Sequence, residues 1–179
     1  VRAVAEDIGV DAVKIGMLGN AQTIAAVDGA LDLVGGAPVV LDPVMVAESG
    51  ARLLDEDAVE ALRTVLLPRA TVVTPNVHEA ALLVAPGAAA RGGGAADPVA
   101  LARAIHGLGP RAVVVTGGHR AVASDVFYDG ARLEELHGER YPDGAAHGSG
   151  CTHSSALAAH LAHGLEPLEA ARAAKEIAS

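Results

Sequence analysis

Short β-branched runs alternate with stretches rich in Ala and Leu along the 179 residues, and nothing else in the sequence constrains the fold as much. Such runs read as buried strands, and strands separated by helices lie parallel in one sheet. Strands are expected at Val13–Leu18, Val39–Leu41, Thr71–Thr74 and Ala112–Thr116. Helices are expected from Ala21 to Val34 behind an Asn20 cap, from Asp55 to Leu66, from Pro75-Asn76 through Leu83, and from Pro98 to Leu108. The pattern then changes. Val126–Tyr128, a turn at Asp129-Gly130 and Arg132–Leu136 read as an antiparallel hairpin, because Asp-Gly favours the left-handed turn joining two strands. Helices close the chain from Cys151 to about His163 and from Pro167 onward, while the first residues read as the tail of another helix. The fold class is therefore α/β, a mostly parallel sheet flanked by helices, with a hairpin in the C-terminal third.

Composition narrows the function. Aromatic residues make up only 2% with no Trp, and the formal net charge is −9. A nucleic-acid reader needs cations for phosphates and rings for bases, so nucleic acid is not an expected partner. A single cysteine forms no internal disulfide and suits a reducing, cytoplasmic setting. No apolar run is long enough for a membrane span. The segment 85–97, with three consecutive glycines, reads as a loop within a single domain.

Ligands of open α/β sheets bind outside the carboxyl ends of the strands. Three expected strand ends carry polar residues: Asp42, then Asn76 with Glu79, then Thr116 followed by Gly117, Gly118 and His119. Each is also an ordinary capping or turn residue. Between His147 and Thr152 the sequence reads HGSGCT, immediately before an Ala-rich helix. Gly148 and Gly150 free the backbone to aim N–H groups at one point, and the helix dipole adds positive character there, which suits an oxyanion or a transferring phosphoryl group. Cys151 stands at that helix start, where thiolates are favoured; a buried, inert cysteine is the alternative. Of the histidines beside the loop, His147 has a better case for orienting it than His153.

Taken together, DAVKIGML (Asp11–Leu18), VVLDPVMVAESG (Val39–Gly50), LLPRATVVTPNVHEA (Leu66–Ala80), VVTGGH (Val114–His119) and HGSGCTHSSA (His147–Ala156) resemble, in the same order, the hydroxymethylpyrimidine/phosphomethylpyrimidine kinases. These are thiamine-biosynthetic members of the ribokinase-like superfamily. The resemblance implies ATP-dependent phosphorylation of the pyrimidine's hydroxymethyl group and then of its monophosphate, with Mg2+ as cofactor. It implies an anion hole at Gly148, Ser149 and Gly150, and a base or substrate-orienting group at Cys151. Asn76 and Glu79 would hold Mg2+, with Asp42, Asn76, Thr116 and Gly118 on the ATP phosphates and Met17 and Val44 walling the pyrimidine. Such kinases begin with a further strand and a glycine-rich segment that have no counterpart here. The 179 residues thus read as a partial ribokinase-like domain, expected to bind ATP weakly and to lack kinase activity alone. A homodimer is a further expectation. Pyridoxal kinases share several of these patterns and are the nearest enzymatic alternative; a nucleotide-binding module without catalysis is the alternative of another class.

Overall fold

A computed structural model describes residues 1–46, 53–85, 97–117, 124–138 and 148–178. Its strands are β1 (Val13–Ile15), β2 (Val39–Leu41), β3 (Val72–Val73), β4 (Ala112–Val115), β5 (Ser124–Tyr128) and β6 (Leu133–His137), and they stand side by side in that order in one sheet. The first four are parallel; β5 and β6 are antiparallel to their neighbours. The helices are α1 (Arg2–Asp7), α2 (Ala21–Leu31), α3 (Glu56–Ala61), α4 (Val77–Val84), α5 (Pro98–His106), α6 (Ser149–Ala162) and α7 (Pro167–Ala178).

Side chains alternate across a strand, and a sheet covered on both faces needs apolar residues at every position. Ile15, Val39, Leu41, Val73, Val113 and Val115 pack with α2, α3, α4 and α5. Val40, Val72, Ala112, Val114 and Phe127 face the other way, against Leu157 and Leu161 of α6 and Leu168, Ala171 and Ala174 of α7. Crossovers of one hand between sequentially adjacent parallel strands put their helices on one face. The opposite face is thereby left to the two helices that follow the hairpin.

Several boundaries differ from the sequence expectation. The strand expected to reach Leu18 ends at Ile15, since its neighbour β2 offers only three partners. The helix expected to run to Val34 ends at Leu31; Leu33 and Val34 donate to carbonyls three residues back, and Gly35 and Gly36 take positive φ. The helix expected over Asp55–Leu66 is α3 followed by a π-helical turn (Leu62–Leu66) and a 3-10 turn (Leu67–Arg69). Pro68 has no N–H to continue the ladder, so the turn before it slips. The hairpin loop takes four residues, because Tyr128 pairs with Leu133. Asp129 Oδ1 accepts the Ala131 and Arg132 N–H groups there. A Cβ on Gly130, which has φ +92, would meet His106 at 2.9 Å. The expected loop at 85–97 lies almost wholly outside the described residues.

Candidate active site

The register of the parallel strands sets Ile15, Leu41, Val73 and Val113 level with one another, so the residues after these strands share one edge of the sheet. Asn76 caps α4: its Oδ1 accepts the N–H groups of His78 and Glu79 at 2.9 and 3.0 Å, while Glu79 Oε2 accepts the Asn76 N–H at 3.0 Å. This reciprocal capping satisfies donors that the helix start leaves without intrahelical partners. The other oxygen of Glu79 accepts the Met45 N–H at 3.4 Å, which ties the segment after β2 to α4. An isolated parallel bridge joins Asn76 to Thr116, whose N–H donates to the Pro75 carbonyl.

Glu79 is buried. Burial pushes its carboxyl up to about 7, the two backbone N–H groups pull it back, and the negative charge of Asp42 pushes it further up. Asp42 is buried too, with two partners on one oxygen: Lys14 Nζ at 3.4 Å and Ser154 Oγ at 3.0 Å. Lys14 belongs to β1 and Ser154 to α6, so this carboxylate links two strand ends to the helix behind the glycine loop.

That helix starts at Gly148, which has φ +86 and ψ −5 and gives no side-chain cap. By contrast α2, α4 and α5 are each capped by a side chain, from Asn20, Asn76 and Asp97. Cys151 is exposed on the first turn of α6, so the buried-cysteine alternative does not hold. The helix begins two residues earlier than expected, which puts Ser149 and Gly150 inside its first turn.

The structure thus brings Asp42, Asn76, Glu79 and Thr116 together at the strand ends, with α6 joined to them through Ser154. Met17 is 65% exposed beyond β1, and Val44 is half-buried; the buried side chain of that segment is Met45. Gly118, His119 and His147 lie outside the described residues. Sequence reasoning missed Lys14 and Ser154. A lone lysine inside an apolar strand was a usable signal for the first, whereas a serine in an Ala-rich helix offers none. It also ranked His153 low. That ring is buried on α6 with neither nitrogen hydrogen-bonded among the described residues. Burial holds its pKa below the usual imidazole value, opposed by Asp125 and Asp42 and reinforced by Lys175. Asp125 in turn accepts the Gly117 N–H and Lys175 Nζ.

As to a metal, Asp42 and Glu79 are hard oxygen donors whose mutual repulsion a cation would relieve. No group of three or more His, Cys, Asp or Glu stands close enough among the described residues to chelate one. This donor set fits Mg2+, which retains several waters and takes one or two carboxylates plus phosphates. The Asn76 oxygen is already occupied by two N–H groups, which leaves its NH2, a donor suited to phosphate.

The profile of the family described as phosphomethylpyrimidine kinase matches residues 1–179, the whole chain. This chain belongs to that family. A hydroxymethylpyrimidine/phosphomethylpyrimidine kinase of Rhizobium meliloti (strain 1021) is 48% identical over 175 residues, 97% of this chain. The ADP complex of Bacillus subtilis pyridoxal kinase superposes with a TM-score of 0.83 at 39% identity, covering 96% of this chain and 65% of that one. The phosphomethylpyrimidine kinase of Clostridium difficile 630 gives a TM-score of 0.79 at 34% identity, covering 97% and 70%. The chain spans 64% of the length of the Rhizobium relative. No helix among the described residues is long and apolar enough to cross a membrane.

Proposed function

We propose that this phosphomethylpyrimidine kinase family member carries the phosphate side of an ATP-dependent kinase for hydroxymethylpyrimidine and its monophosphate, serving thiamine biosynthesis. The observation that supports this most is the uncapped, glycine-started N-terminus of α6, linked through Ser154 to the acid at the end of β2. First-turn amides have no acceptor within their own helix, and the dipole favours an anion before them. In this reading the turn at Gly148, Ser149 and Gly150 holds the transferring phosphoryl group, and Cys151 takes or orients the proton of the hydroxymethyl group. That oxygen bonds to the γ-phosphorus as the bond to the β-phosphate oxygen breaks and ADP leaves. Asn76, Thr116 and Gly118 contact the ATP phosphates, and Met17 with Val44 walls the pyrimidine. Asp42 and Glu79 would hold Mg2+, which would supply charge neutralisation to the phosphates. The residues form part of a single ribokinase-like domain in a cytoplasmic protein that pairs with a second copy.

The test is ADP release by the protein at its full natural length, with hydroxymethylpyrimidine, its monophosphate or pyridoxal supplied in turn. Turnover is expected with both pyrimidines, and Cys151→Ala is expected to lower kcat by about 100-fold or more while KM for ATP stays within about twofold. Preferential turnover of pyridoxal would replace the substrate reading, and unchanged kcat would remove Cys151 from the chemistry.

A further inference from the structure

We propose that Lys14 and Ser154 are positioning residues which, through Asp42, set the phosphate-holding first turn of α6 against the ends of β1 and β2. The inference rests on the kinase reading above and adds two residues to it. Asp42 Oδ2 is the shared point: Lys14 Nζ lies 3.4 Å from it and Ser154 Oγ 3.0 Å. Ser154 Oγ also lies 2.9 Å from the Gly150 carbonyl and 3.2 Å from that of Cys151. The hydroxyl has one proton to give, shared between a carboxylate and the carbonyl four residues back. It therefore bonds the strand-end acid to the turn that carries Gly150 and Cys151.

Burial makes the link directional. Ser154 is fully buried, and the side chains of Asp42 and Lys14 are 9% and 24% exposed. A charge-assisted bond in that setting holds its geometry better than a solvated one. Gly16 lies beside the pair: a Cβ there would stand 3.0 Å from Lys14 Nζ, the flexible end of the lysine. The lysine thus gives the buried acid a countercharge from the protein itself, and α6 is held in place before any nucleotide arrives. In a reaction that depends on in-line placement of a phosphoryl group, displacement of the holding turn falls on turnover.

The experiment compares Ser154→Ala, Lys14→Met and Lys14→Arg with the wild type at full natural length. For Ser154→Ala we expect kcat to fall about 10- to 100-fold with KM for ATP within about twofold. Amide exchange at Thr152, whose N–H bonds the Gly148 carbonyl, should speed up about tenfold while exchange at Leu161 stays unchanged. Lys14→Arg should recover most of the kcat that Lys14→Met loses. Wild-type kcat in Ser154→Ala, or exchange that accelerates evenly along α6 with a fall in Tm, would overturn the positioning role. A wild type that does not phosphorylate the pyrimidine would sink the kinase reading alone, and the exchange comparison would still decide this one.

Discussion

Glu79→Gln should remove a pH dependence of stability that runs opposite to that of most carboxylates. The Glu79 carboxyl titrates at about 7 in the folded protein and at 4.5 in its ordinary state. Between those values the folded state keeps a proton that the unfolded chain has released, so stability falls as pH rises. Relative to the variant, the contribution is fully present below 4.5 and is lost through about 7. At about 1.4 kcal/mol per tenfold change the loss comes to about 3 kcal/mol, a large share of a domain's net stability. Gln keeps one acceptor for the Asn76 N–H, so its remaining cost is a constant offset. The assay is guanidinium unfolding of wild type and variant with EDTA present, from about pH 4 to about pH 9, with the difference in unfolding free energy plotted against pH. Titrating groups that do not interact with Glu79 cancel in that difference. A difference that stays flat, or rises with pH, would refute the burial argument.

His153 should behave in the opposite sense. Its folded pKa lies below the usual 6.5, so the stability it contributes is present above 6.5 and is lost as pH falls through the folded value; the midpoint of its ring titration by NMR should fall below 6.5, and an ordinary midpoint would show that the ring is solvated. Phe127, fully buried on the α6 and α7 face of the sheet, should cost about 3 to 5 kcal/mol when changed to Ala, read by urea unfolding, and a cost below about 1 kcal/mol would mean that the face repacks freely.

The sequence by itself determined the parallel α/β class, the hairpin, and the sheet edge that gathers the polar strand-end residues, because hydrophobic period, Pro and Gly positions and strand-end residues are local properties of the chain. Asn20 and Asn76 as caps followed from the same local chemistry. Tertiary structure alone decided the rest. Ser154 reaches Asp42 across 112 residues of sequence, and no pattern within α6 signals that contact. Glu79 titrates near 7 because the fold buries it with a second acid nearby, a property of the environment and not of the Asn-x-x-Glu spacing. The same holds for His153 and the Asp125–Lys175 pair, which exist only where β5, α6 and α7 close over one face. Local sequence carries propensity and polarity, whereas burial and charge pairing arise from segments that meet only once the chain has folded.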